Sequence, residues 1–129
     1  MNIFLYIKLL IIFSLNQYTN KRLVCILVHN TFFDSTEEIY CSHVLKHNKK
    51  IKIVKIYQKQ VLPSIFIKWI KKSDVIVSRS LTNSWLLSLK KARIKFYYLI
   101  DDDVIAGIND SSISQNYKEK LTHIKSNVF

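Results

Sequence analysis

Apolar residues recur along this chain with two periods, every second residue in some stretches and every third or fourth in others, and the switches between them mark out its elements. Ile3–Leu15 is an apolar stretch interrupted by Lys8, with Ser14 near its end. It falls short of the roughly 20 residues a membrane-spanning helix needs, and neither a basic leader nor a small-residue cleavage site accompanies it. A helix is expected there, packed on the domain or lying at a membrane surface, with Lys21 and Arg22 at its polar end. Leu23–His29 reads as a first strand. Ser35 followed by Glu38 forms a capping box that opens a helix to His47, with Tyr40, Cys41, Val44 and Leu45 inward. Lys50–Tyr57 is a second strand; its lysines 50, 52 and 55 suit an edge, where they discourage strand addition. Pro63 stands in the first turn of a second helix whose inward residues are Ile65, Phe66, Trp69 and Ile70. Asp74–Ser78 is a third, central strand, and Leu81–Ala92 a third helix facing in with Trp85, Leu86 and Leu89. Ile94–Ile100, rich in aromatic and branched residues, is a fourth strand, expected in the sheet interior. After Gly107 the chain turns polar. Asn109–Ser114 is a loop, and Tyr117, Leu121 and Ile124 mark a short last helix.

Strands alternating with helices through short connections predict an α/β fold, a Rossmann-like three-layer domain with a mostly parallel sheet of about four strands. The expected organisation is an apolar amino-terminal helix (1–20), the Rossmann-like domain (21–108), and a polar loop with a short carboxy-terminal helix (109–129).

Composition narrows the chemistry. The net charge of +11 is uneven: residues 1–100 hold 17 of the 20 basic residues but only 4 of the 9 acidic ones. Such a surface favours polyanions or an anionic membrane face, yet no arginine cluster or RNA-binding aromatic motif accompanies the lysines, which argues against nucleic acid. One glycine and one proline in the chain exclude the glycine-rich dinucleotide and P-loop phosphate motifs. Cys25 and Cys41 lack metal or redox spacing and read as small buried hydrophobes, suited to a reducing cytoplasm.

The strongest chemical signal is Asp101-Asp102-Asp103, which directly follows strand four. Three adjacent carboxylates cannot stay inside a sheet, so they must meet solvent or a cation. In an open parallel sheet that end of a strand borders the ligand crevice. There Asp101 and Asp103 can hold Mg²⁺ or Mn²⁺ against a diphosphate; equally, Asp102 or Asp103 can cap the next turn. His29 and Asn30 close strand one on the same sheet edge, His29 as a candidate base or ligand. Arg79 and Ser80 follow strand three, and Arg79 is suited to a phosphate or a carboxylate. Asn30, Arg79 and Ser80 are thus the candidate substrate-binding residues. His43 and His47 share i, i+4 spacing without a convergent third ligand and read as a solvated helix face.

The span 73–104, SDVIVSRSLTNSWLLSLKKARIKFYYLIDDDV, resembles a first-domain segment of glycosyltransferases with two Rossmann-like domains (the GT-B type). The matching positions are Asp74–Val77, Arg79 and Tyr98–Val104. The resemblance implies an amino-terminal, acceptor-side domain that needs no metal, with the nucleotide-sugar held mainly by a second domain. The chain would then be a truncated form, or half of an enzyme whose other Rossmann domain another chain supplies. A nucleotide-sugar and a glycan or lipid acceptor would be its partners. Asp101-x-Asp103 is also similar to the metal-holding strand end of single-domain (GT-A) glycosyltransferases, which use Mg²⁺ or Mn²⁺. A non-catalytic Rossmann-like binding module, possessing the fold without chemistry, is the third reading. A phospho-receiver is excluded: Leu27–Asn30 and Ile76–Arg79 lack its acidic pair and acceptor aspartate.

Overall fold

A computed structural model describes residues 2–29, 37, 41–78, 81–99 and 104–128. They fall into two compact units, residues 1–99 and 100–129.

The first unit is an α/β fold on a four-stranded, all-parallel sheet, Rossmann-like in its layering. Its strands are β1 (Arg22–Val28), β2 (Ile51–Tyr57), β3 (Asp74–Ser78) and β4 (Tyr97–Leu99), in the order β2-β1-β3-β4. β1 is buried on both sides after Arg22, as a central parallel strand should be. Its alternate residues serve two cores: Leu23, Cys25 and Leu27 face one way, Val24, Ile26 and Val28 the other.

Three helices cover the first of these faces: α1 (Ile3–Asn16), α3 (Pro63–Ile70) and α4 (Asn83–Lys91). Asn2 starts α1 by accepting hydrogen bonds from the Phe4 and Leu5 amides at 3.1 and 3.3 Å. Of the two places expected for this apolar stretch, the structure shows packing on the domain. Tyr6, Leu9 and Phe13 are buried, and the Tyr6 and Phe13 rings lie 5.5 and 5.8 Å from that of Phe66 on α3. Phe66 and Ile70 face inward on α3 as expected, whereas Ile65 is exposed and Trp69 only half-buried. Trp85, Leu86 and Leu89 of α4 are all buried.

Among the described residues, the second face is covered by Cys41 and by Leu45 of the short helix α2 (His43–Leu45). The β1–β2 connection runs one way across the sheet and the β2–β3 and β3–β4 connections the other. Placing α2 opposite α3 and α4 therefore gives all three crossovers one hand, as parallel sheets require. Cys25 and Cys41 serve opposite faces as free thiols, and burial pushes both pKa values up, that of Cys41 to about 11.

β4 corrects an expectation. It has three residues and one neighbour, β3, so among the described residues it is an edge strand, with Tyr97 72% exposed. The aromatic run 96–98 is apolar enough for a core, but a strand needs neighbours on both sides to be buried there.

In the second unit, α5 (Val104–Asn109) and α6 (Gln115–Val128) flank a turn held by Asp110, whose carboxylate accepts from the Ser112 amide at 2.8 Å and hydroxyl at 2.7 Å. Those bonds hold the Asp110 pKa below its usual value. Gly107 meets the buried Leu121 here: a Cβ on it would lie 2.5 Å from Leu121 Cδ1, so a side chain at this position would make the end of Leu121 shift. α5 was not foreseen; six residues including a glycine carry too little periodicity. Among the described residues no helix is long and apolar enough to cross a membrane.

Candidate functional site

The strand order fixes where a ligand crevice can open. From β1 the chain crosses to β2 on one side, and from β3 to β4 on the other, so the connections diverge between β1 and β3. At such a switch point the carboxyl ends of neighbouring strands leave a gap. Leu27 pairs with Val77 and Ser78 with Leu99, which brings the carboxyl ends of β1, β3 and β4 side by side. His29, directly after β1, is half-buried at this edge, and Ser78 is wholly buried. Asn30, Arg79, Ser80 and the aspartates 101–103 follow these strand ends in sequence but lie outside the described residues, as do Ser35, Glu38 and Tyr40 of the expected capped helix.

Beside the switch point, the same sheet edge carries a cleft of about 900 Å³, within the size range of small-molecule sites. Its walls are the end of β2 at Tyr57, the turn after it (Gln58 to Gln60) and the starts of α1, α3 and α4, including Tyr6, Leu62, Thr82 and Ser84. A buried glutamine organises it. Gln58 donates its amide to the Val28 carbonyl at 2.9 Å and its side-chain nitrogen to the Leu27 carbonyl at 3.3 Å. Its side-chain oxygen accepts from the Thr82 amide at 2.8 Å, and its backbone carbonyl accepts from Trp85 Nε1 at 2.7 Å. One residue thereby ties the end of β1 to the first turn of α4. Tyr6 does the same for α3, its hydroxyl accepting from the Leu62 amide at 2.7 Å. The Thr82 and Ser84 hydroxyls, 3.4 Å apart, and Lys59 give a mainly apolar cleft a few donors and acceptors. Such a lining offers apolar contact with a few hydrogen-bonding groups to fix orientation, as small-molecule sites do.

Sequence reading missed Gln58 and Thr82, since a lone glutamine after a strand signals nothing until its partners 24 to 31 residues away are known. Other candidates stand away from this edge. Asp74, part of the transferase-like pattern, opens β3 at the opposite, amino edge. There it takes a two-pronged ion pair from Arg22, through Nε and through Nη2 at 3.0 Å, which raises the Arg22 pKa. His43 and His47 are exposed and meet edge to face with ring centres 6.0 Å apart. Among the described residues no three His, Cys, Asp or Glu side chains are grouped to hold a metal.

A buried charge cluster also escaped the sequence reading. Glu37, 1% exposed, pairs with Lys55 Nζ at 2.7 Å and accepts from the Ser42 hydroxyl. Lys55 belongs to the row Ile51, Ile53, Lys55, Tyr57 that faces the second core. A lysine in an apolar row was the available signal, because it requires a counter-charge. Among the described residues β2 is indeed an edge strand, yet this lysine faces inward.

The fold thus defines a class, Rossmann-like α/β proteins with a carboxyl-edge cleft. No protein-family model, curated protein or solved structure matches this chain.

Proposed function

We propose that this chain is a glycosyltransferase-like protein, the amino-terminal, acceptor-side domain of a two-Rossmann-domain (GT-B) transferase or a truncated form of one. The observation that supports this most is the cleft at the carboxyl edge of an all-parallel sheet, next to the switch point, whose mainly apolar lining carries the hydroxyls of Tyr6, Thr82 and Ser84. Sugars and glycan or lipid head groups present the hydroxyls such a lining binds. In this reading the cleft holds the acceptor, and His29 is the candidate base for its attacking hydroxyl. Asn30, Arg79 and Ser80, which follow these strand ends in sequence, are the candidate substrate-binding residues, Arg79 the one suited to the diphosphate leaving group. In this reading a second Rossmann domain holds the nucleotide-sugar.

NMR titration of the full chain tests it. Simple glycosides should shift the Gln58, Thr82 and Ser84 amides, and a nucleotide-sugar alone should bind weakly with or without Mn²⁺. No shift at the cleft with any glycoside would sink the proposal. A Mn²⁺-dependent rise in thermal midpoint with a nucleotide-sugar, lost in Asp101→Asn/Asp103→Asn, would replace it with the metal-dependent (GT-A) reading; at a hundredfold excess over Kd that rise reflects about 2.7 kcal/mol.

A further inference from the structure

The face of α1 turned away from the sheet is apolar. Tyr6, Leu9 and Phe13 point into the core, while Ile3, Phe4, Ile7, Ile11 and Leu15 are exposed, Phe4 to 80%. At i, i+3 and i+4 spacing these five form one stripe opposite the buried one. Water alone is a poor neighbour for so continuous an apolar row.

The charges around the stripe indicate what covers it. Lys8 lies within it, one turn from Phe4 and from Ile11. At the seam between α1 and α3, Trp69 stacks on Phe13 with ring centres 6.2 Å apart. The ammonium groups of Lys68 and Lys72 stand over that indole, 5.4 and 5.6 Å from its centre, with no carboxylate partner among the described residues. Neither α1 nor α3 contains an acidic residue. A second copy docking stripe to stripe would set lysine against lysine between chains that each carry +11, an unfavourable pairing. An anionic lipid surface complements every part of the patch: acyl chains receive Phe4, Ile7 and Ile11, and phosphates receive the lysines.

We propose that α1 and the α1–α3 seam form a docking face for an anionic membrane surface, with α1 lying along the interface. This is independent of the reading of the cleft. The test is flotation of the full chain with vesicles of phosphatidylcholine alone and of phosphatidylcholine mixed with phosphatidylglycerol. The chain should float with the mixed vesicles, far less with the neutral ones, and less as salt rises. Phe4→Ser/Ile11→Ser changes only exposed side chains, so its circular dichroism should be unaltered while partitioning falls roughly tenfold or more. Lys68→Gln and Lys72→Gln should each weaken partitioning about fivefold on mixed vesicles and hardly at all on neutral ones. Failure to float with mixed vesicles, or salt-insensitive binding equal on both, would overturn the proposal. So would full binding by the Phe4/Ile11 variant, or a solution dimer that Phe4→Ser dissociates.

Discussion

The two faces of the sheet solve the same burial problem differently. One packs α1, α3 and α4 on Leu23, Cys25, Leu27, Val54, Ile56, Val75 and Val77, and its core holds no ion pair among the described residues, its buried glutamine, Gln58, being hydrogen-bonded. The other buries Val24, Ile26, Val28 and Cys41 beside an ion pair, Glu37 with Lys55. An apolar core gains from every methylene it excludes from water. A buried ion pair returns little net stability, but either partner left alone is a liability. The three-helix face should therefore respond to lost volume, and the other face to lost charge balance.

The largest effect is expected at Phe66, which is wholly buried and in ring contact with both Tyr6 and Phe13. Phe66→Ala should destabilise the first unit by about 4 kcal/mol in urea unfolding. A loss below about 1 kcal/mol would mean that α1 and α3 close over the cavity.

On the other face, Lys55→Met should remove about 3 kcal/mol, the low end for a broken buried pair because Lys55 is one-third exposed. Adding Glu37→Leu should restore most of that loss, since two apolar residues replace a balanced pair at little net change. Additive losses in this cycle would refute the comparison, showing that the two side chains act independently.

Alkali probes the same face through Cys41. Burial raises its pKa first, the Glu37 carboxylate raises it further, and Lys55 opposes both, leaving it near 11 against an ordinary 9.0. Unfolded chains release this proton from about pH 9, whereas the folded chain keeps it to about pH 11. Cys41 thus contributes stability that is complete below pH 9 and lost as pH rises through 11, about 2–3 kcal/mol in all. Cys25, also raised by burial, acts in the same direction. Urea midpoints measured from pH 8 to 11 should fall more steeply for the unmodified chain than for Cys41→Ala. Parallel curves would remove Cys41 from the account.

What could be read from the sequence was what local period and type determine. Trp85, Leu86 and Leu89 announced their helix and its inner face, and the continuous apolar run of β3 announced a central strand. Interiors shaped by distant partners could not be read so. Lys55 looked like edge protection until Glu37 was found beside it, and Gln58 carried no signal without the β1 carbonyls and the Thr82 amide. Tyr97 misled because aromatic strands suit edges as well as centres once one face is wet. Of the candidate site, the positions of His29 and Ser78 at the strand ends followed from order alone, and the cleft did not.

The smallest effect belongs to the end of α4, on the three-helix face, and it runs towards greater stability. The helix closes with the Ile94 amide donating to the Leu89 carbonyl and the Arg93 amide to the Lys90 carbonyl, both at 3.0 Å. This paired closure requires a left-handed residue at its centre, a position glycine usually fills. Here Arg93 occupies it with φ of 55°, in a chain whose single glycine serves elsewhere. A side chain in that conformation costs about 1 kcal/mol, partly offset in a glycine variant by the greater freedom of its unfolded chain. Arg93→Gly should therefore stabilise the first unit by about 0.5 kcal/mol, while Arg93→Val, branched at Cβ, should destabilise it by about 1 kcal/mol. The two variants bracket the wild type in thermal midpoint if the closure is as described. A glycine variant that melts lower would show that Arg93's own side-chain contacts outweigh the backbone strain.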